Sequence, residues 1–502
     1  MKKNEFNIVE LQKDEVGQVT DKSEKKQSKL SLFIENFVVY GIGGVISKVI
    51  PLIMVPIVTR LMPDSSYYGI SDLSNTVLQF GSALAIMGMY DAMYRMFFEK
   101  DNEDYKKEIC STAMFFTIFT SFLVFIVMII CKDLIAKYAF GDSQYGYLIY
   151  ITAMATLVGA TNSIISAPTR MQNKKKIYLV MNTVSPVLSY SISIPLLITG
   201  HYIIALPLAA LISAATQDFI FWVLNREWFK FKKIRTDYIK PLLKIAIPLL
   251  PNFIIYWVFN SSDRLMITNL IGTGASGIYA VGAKLGQASQ LVYTAFAGGW
   301  QYFAFATMKE KDQVKTNSLI FEYLGLISFA CSMFVFALSE TIYKVLFTGD
   351  YVLGYIVAPY LFLSPLLQML FQVATNQFLV VKKTWPNLFI LSSGAILNII
   401  LNLVLIPTIG IEGAAIATLI GYVLSDLIVV LVLNKMKLHI ISKRFVLCCI
   451  MLTVFISVWR IFILHNVLAS LMLSIIVCVI MGWFYRIDIK LLFLKIKGML
   501  KR

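Results

Sequence analysis

The feature that most narrows what this chain can become is a recurrence of apolar runs, each close to 20 residues, separated by short charged loops from about residue 31 onward. At about 1.5 Å per residue, a helical run of that length crosses about 30 Å of hydrocarbon. In hydrocarbon a helix satisfies its own backbone hydrogen bonds, whereas an open strand cannot. Composition agrees: 58% of the 502 residues are hydrophobic and 15% charged, with a mean hydropathy of +0.73, too little charge to cover a soluble fold of this size. The expectation is an all-α integral membrane protein with about 14 transmembrane helices. Residues 1–30 are a polar, strongly charged lead, neither signal peptide nor folded domain, so the first helix must act as its own insertion signal.

The runs repeat. An offset of about 208 residues carries LMPDSSYYGISDLSNT onto the stretch around GTGASGIYAVGAK, so that Gly69 answers Gly277 and Ile70 answers Ile278. The same offset carries Gly141, Asp142, Gly146 and Tyr147 onto Gly349, Asp350, Gly354 and Tyr355, and Lys174-Lys175 onto Lys382-Lys383. The chain therefore divides into a lead (1–30), a first six-helix lobe (31–234), a second six-helix lobe (238–441), and two extra helices with a basic cytoplasmic tail (442–502). An even helix count returns the chain to its starting side, which makes the lobes parallel repeats around a central cavity.

Lys and Arg fall overwhelmingly on one set of alternate loops, the densest being Arg95 to Lys107, Arg170 to Lys176, Arg226 to Lys244, Lys309 to Lys315 and Lys435 to Arg444. By the positive-inside rule these loops and both termini are cytoplasmic. The net charge of +16 is then mostly topology, with a secondary capacity to hold anionic membrane lipid. Nucleic-acid binding wants basic residues gathered on one surface and interleaved with aromatics, so it is not expected. The six cysteines lack CxxC or zinc spacing and the three histidines are scattered, so no metal site, cofactor or histidine-based catalysis is implied. GTGASG matches a dinucleotide-binding pattern but joins two membrane helices instead of a strand and a helix, and there is no Walker motif to supply ATP energy.

Charges inside apolar runs are the candidates for function, because each costs about 2.5 to 3.5 kcal/mol at the bilayer centre unless water, a partner or a ligand meets it. Lys48, Arg264 and Lys284 are such cations, well away from helix ends. Asp263, Asp72, Asp91, Glu322 and Asp426 are the acids able to neutralise them or to couple transport to an ion. Structural salt bridging is the competing explanation. Arg60, at the outer end of helix 1, reads as a snorkelling terminus. Gln368, Gln372, Asn376, Asn398 and Asn402 recur at helical spacing, either contacting sugars or gluing helices together. Helix 1 carries Gly41, Gly43 and Gly44 where helix 7 carries Pro248 and Pro251; interrupted helices at matching places in two halves point to a transporter's central cavity.

The run DRLMITNLIGTGASGIYAVGAK resembles the start of the second lobe in the polysaccharide transporter family, the flippases for lipid-linked O-antigen and capsule units, in its Asp263-Arg264 pair and its Gly277-Ile278-Tyr279 turn. YGIGGVISKVIPLIMVPIVTRLMPDSSYYGI is similar to that family's opening helix and Tyr68-Gly69 turn. The resemblance implies a place in the wider multidrug, oligosaccharidyl-lipid and polysaccharide exporter superfamily, with two lobes rocking about a cavity. It implies no enzymatic step, a bacterial plasma membrane, a lipid-linked oligosaccharide as cargo, and a polysaccharide polymerase as an open partner. Lys48, with no acid in the middle of its helix, favours an anionic cargo over the cations of drug exporters. Lipid II flippases are nearer rivals. A membrane glycosyltransferase or polymerase fits least, because the outer loops are short and their repeated acids, Asp142 and Asp350, sit in GDxxxGY turns.

Overall fold

In a computed structural model, which describes residues 49–306, 312–381, 383, 385–488 and 490, the chain is a bundle of helices. Lys48, the Gly41, Gly43 and Gly44 interruption, and the lead lie outside the described residues. Among the described residues ten helices are long and apolar enough to cross a membrane, or eleven when the bent pair Gly349–Ile356 and Ala358–Val380 counts as one span. Their outward faces carry bare apolar side chains such as Phe119, Ile130, Leu403 and Phe462, the surface that hydrocarbon wets.

The first half holds α1 (Val49–Leu61), α2 (Ser65–Ile86), α3 (Met89–Phe97), α4 (Glu103–Ile130), α5 (Lys132–Phe140), α6 (Gly146–Met171), α7 (Lys175–Ile198) and α8 (Tyr202–Asn225). The second holds α9 (Ile239–Ala246), α10 (Leu250–Trp257), α11 (Asp263–Leu270), α12 (Thr273–Ala306), α13 (Gln313–Leu346), α14 (Ala358–Val380), α15 (Trp385–Ile409) and α16 (Ile411–Lys435), followed by α17 (Lys443–Val458) and α18 (Val467–Phe484). Asp64 caps α2, its carboxylate accepting the Ser66 N–H at 2.7 Å. Asp142 does the same for the turn Ser143–Tyr145, accepting from Gln144 N at 2.9 Å, which gives that GDxxxGY acid the loop role its motif suggests.

Three helices fall short of the membrane-span test for an informative reason. Val49–Leu61 is short, while α2 and α12 carry Asp72, Asn75, Gln79 and Lys284 along their lengths. Their polar stripes face a cavity instead of lipid.

One span runs from Thr236 to Leu270 but is not one α-helix. It passes through α9, a 3₁₀ turn at Ile247–Leu249, α10, a π-helical turn at Val258–Ser262, and α11. Pro248 and Pro251 account for the first break, since each ring removes a backbone donor and crowds the preceding turn. The π turn inserts extra backbone immediately before Asp263 and Arg264, re-aiming both side chains relative to a regular helix.

The halves meet along α2 and α12 at glycines. A Cβ on Gly69 would lie 2.2 Å from the Thr273 carbonyl oxygen, and one on Gly277 would lie 2.0 Å from the Ser65 carbonyl oxygen. The offset that equates Gly69 with Gly277 also equates Ser65 with Thr273, so each residue meets its counterpart's partner. That reciprocity is the signature of a twofold axis through the contact. At the same end, Val55, Val58, Met62 and Tyr68 pack with Ala280, Val281, Tyr343 and Tyr351. The Tyr351 hydroxyl donates to Asp64 O at 3.1 Å, and Arg60 reaches the Val345 and Leu346 carbonyls at 3.4 and 3.3 Å. Arg60 is thus a strap between halves as well as a helix terminus.

The last two helices are tied to α13. Glu322, 3% exposed, accepts from Ser442 N at 2.9 Å and the Tyr485 hydroxyl at 2.7 Å, with Arg444 Nε 3.7 Å away.

Candidate functional site

Two chambers open between and within the halves. The first, about 520 Å³, is walled by α2, α10, α11, α12, α14 and α16, and the second, about 490 Å³, by α1, α2, α6, α7, α8 and α12. Asp72, Asn75 and Lys284 line both and therefore mark where they join.

At that junction the Arg264 guanidinium Nε donates to Asp72 Oδ2 at 2.5 Å, across the halves, with side chains 13% and 9% exposed. Arg264 also donates to the Asn260 carbonyl oxygen, within the π turn. Its guanidinium carbon lies 6.0 Å from the centre of the Tyr279 ring. Lys284 is within the influence of both Asp72 and Arg264, yet forms no ion pair or hydrogen bond with a described residue. One carboxylate thus faces two cations on the cavity wall.

Asp263 also borders the first chamber, but neutral donors take up its carboxylate. It is 2% exposed and accepts from Tyr279 Oη at 2.6 Å, Asn402 Nδ2 at 2.7 Å and Thr418 Oγ1 at 2.5 Å. Asn398 Nδ2 in turn donates to Thr418 Oγ1 at 3.0 Å. Three neutral donors replace the water an isolated carboxylate would lose on burial. Asp263 is therefore not the partner of Arg264, although the two are adjacent in sequence: successive helical residues point about 100° apart, and Asp72 takes the guanidinium instead.

The remaining expected residues are dispersed. Asp91 lies exposed near the start of α3 and lines neither chamber. Glu322 is occupied by the C-terminal helices, so it is a structural acid rather than a cavity one. Asp426 is half-buried on α16 one turn beyond Tyr422, with its carboxylate oxygens shielded and neither having a partner among the described residues. Of the amides, Gln368 lines the first chamber. Gln372 and Asn376 lie inside the second half, each with a buried atom lacking a partner. Asn398 and Asn402 are completely buried and spent on Thr418 and Asp263; they hold α11, α15 and α16 together and do not reach the cavity. Sequence reasoning did not single out the aromatic wall of the first chamber, Tyr256, Trp257 and Tyr422, because aromatics at helical spacing read equally well as core. Trp257 Nε1 donates to Thr76 O at 3.3 Å and its ring lies 4.6 Å from Phe80, which makes it an inter-half contact too.

Solved transporters share this fold. The chain is similar in structure to the lipid II flippase MurJ in an inward closed conformation (TM-score 0.68, 16% identity, 90% of this chain and all of that one). It is likewise similar to an inward-facing multidrug resistance MATE family transporter of the MOP superfamily (0.60, 11%, 78% and 98%), and to a MOP superfamily transporter from Pyrococcus furiosus (0.59, 12%, 81% and 95%). A family model described as polysaccharide biosynthesis protein matches residues 57–353, and the chain belongs to that family. Over 300 residues it is 22% identical to the uncharacterized membrane protein MJ1375 of Methanocaldococcus jannaschii, covering 57% of this chain and 70% of that one. It is a multi-pass membrane protein of the polysaccharide biosynthesis family, with a fold like that of MurJ and MATE transporters.

Proposed function

We propose that the chain is a flippase carrying undecaprenyl-pyrophosphate-linked oligosaccharide units from the cytoplasmic to the outer leaflet of a bacterial plasma membrane, by alternating access of two six-helix lobes. In this reading the eleven spans that include the bent pair, together with α1, α2 and α12, make fourteen crossings with both termini cytoplasmic. The α2–α12 seam then lies on the outer side.

The observation that carries the proposal is the junction of the chambers, where Arg264 and Lys284 share Asp72 while the Asp263 carboxylate is held by neutral donors instead of a cation. A buried cation without an acid partner is costly unless a mobile anion completes it, and a pyrophosphate supplies that anion while its lipid tail stays between the lobes. Arg264 offers a bidentate fork and Lys284 a point charge. Lys48 joins them in the proposal from its place in helix 1. The net basic loops would meet anionic lipid, and a polymerase would receive the delivered units. No bond is made or broken.

Reconstitution tests this directly. Purified protein in liposomes is given a fluorescent undecaprenyl-pyrophosphate-linked oligosaccharide, and the fraction reached by a membrane-impermeant quencher is followed in time. Faster leaflet exchange than in empty liposomes is expected. Exchange of lipid II alone would replace the cargo with the peptidoglycan precursor, and efflux of cationic drugs without glycolipid movement would overturn the proposal.

A further inference from the structure

The second chamber differs in chemistry from the first, and that difference assigns it a cargo. Among the described residues its charged wall residues are Asp72 and Lys284, both at the mouth shared with the first chamber. The other described wall residues are uncharged: hydroxyls, amides, prolines and tyrosines among aliphatic Leu and Ala side chains. Several of those polar groups have open hydrogen-bonding capacity. Asn75, Ser189 and the Tyr190 hydroxyl make no side-chain hydrogen bond with a described residue. Asn182 and Gln217 donate their amide nitrogens to the Tyr178 and Met181 carbonyls at 3.0 and 3.1 Å, which fixes each amide and leaves its oxygen free to accept. Tyr68 is 5% exposed, and its hydroxyl also finds no partner among the described residues.

Asn75 is exposed and Asn182, Ser189, Tyr190 and Gln217 are half-buried, so water reaches these groups and a ligand rich in hydroxyls can take its place. Charged cargo fits poorly, since no described residue deeper in the chamber would balance it. The volume, about 490 Å³, falls within the roughly 300–1,000 Å³ of small-molecule sites. We infer that the second chamber is the glycan compartment of the cavity, reading uncharged sugars of the hexose and N-acetylhexosamine kind through the free oxygens of Asn182 and Gln217 and the hydroxyls of Ser189 and Tyr190. The inference rests on the flippase reading and deepens it: the phosphate sits at the junction and the sugars extend into the first half. The uncharged wall sets specificity by the argument that a site built to pair hydroxyls rejects groups it cannot pair.

The test compares three probes on the full chain in nanodiscs: undecaprenyl pyrophosphate without sugar, the same lipid bearing a neutral N-acetylglucosamine trisaccharide, and that trisaccharide ending in glucuronic acid. Ser189→Phe fills the chamber without removing any protein hydrogen bond, and Gln217→Leu removes one amide. An unchanged melting temperature for Ser189→Phe keeps the result interpretable if Gln217→Leu folds poorly. Each is expected to weaken the neutral glycolipid by about tenfold, equivalent to about 1.4 kcal/mol, while leaving the sugar-free lipid unchanged; wild type should bind the uronic acid probe more weakly than the neutral one. Equal loss for sugar-free and neutral probes, no loss for either, or equal affinity for acidic and neutral sugars would overturn the inference. Failure of all three probes to bind wild type would bring down the flippase reading, and the inference with it.

Discussion

Asp72 and Asp263 are both carboxylates within the membrane-spanning bundle, yet the structure uses them in opposite ways. Asp263 borders the first chamber, but its carboxylate is held by three neutral donors of its own half, Tyr279, Asn402 and Thr418. Asp72 stands on the cavity wall and reaches across the halves to Arg264. The first arrangement fixes three helices of one half; the second spans a boundary that must open and close if the halves alternate. What separates them is the partner: neutral donors held by one rigid body in one case, a mobile charge from the opposite body in the other. A buried carboxylate is thus part of the scaffold or part of the working surface according to which body supplies its donors.

The largest effect should come from dismantling the carboxylate held by neutral donors. Asp263→Ala leaves three buried donors without an acceptor, at about 1–3 kcal/mol for each unsatisfied group, so the protein is expected to lose most of its folded yield and melt far earlier in detergent. Wild-type abundance and melting temperature would contradict the scaffold role. Next in size is the seam. In Gly277→Val the Cβ alone would meet Ser65 O at 2.0 Å, backbone against backbone with no side chain to yield, so α2 and α12 cannot close. Glycolipid exchange is expected to stop while the separate halves stay folded; cysteine accessibility at the seam checks whether that end has been held open.

The boundary pair sharpens the comparison further. Removing Arg264 alone leaves Asp72 unpaired, and breaking a buried pair costs about 3–5 kcal/mol, less here because the cavity admits water. Arg264→Gln with Asp72→Asn should restore the melting temperature and leave exchange abolished, whereas Asp263→Asn with any single partner change should not restore stability. Recovery of exchange in the Asp72, Arg264 double variant would make their pairing structural.

The smallest effect lies outside the membrane spans, at His439, 1% exposed and 3.3 Å from Ser318 Oγ. Burial pushes its imidazole down to about 4, with Glu322 opposing the shift. Because the folded value is depressed below the unfolded one of 6.5, the stability it contributes is complete above about 6.5 and is lost as pH falls toward 4. At pH 5.5 the loss is on the order of 1 kcal/mol. Melting temperatures of wild type and His439→Gln measured from pH 7.5 to 5 should converge as the pH falls.

Most of the architecture was legible because bilayer physics writes it into long apolar runs and interrupted helices: Pro248 and Pro251 mark the break at Ile247–Leu249. The duplication was legible in glycines whose purpose the sequence does not state. Only the structure shows that Gly69 and Gly277 permit backbone contact between halves, turning what resembles a nucleotide motif into a seam. Arg264 and Lys284 were legible as costly charges, but their surroundings were not. Pairing across a cavity depends on which face of α2 meets which face of α11, and the π turn at Val258–Ser262 shifts that register. Asn398 and Asn402 share helical spacing with a cavity-lining stripe and turn instead toward Asp263. The neutral chamber drew no notice because scattered serines and amides also occur as ordinary intrahelical hydrogen-bonding groups.

Lys284 offers the most direct measurement, because it lacks a protein partner among the described residues and its removal strands nothing. In Lys284→Gln the account predicts a melting temperature equal to or above wild type, since a costly buried charge has been relieved, together with loss of glycolipid exchange in liposomes. A folded Lys284→Gln protein that moves undecaprenyl-pyrophosphate-linked oligosaccharide at the wild-type rate would contradict the assignment of the cavity cations to the cargo's phosphates.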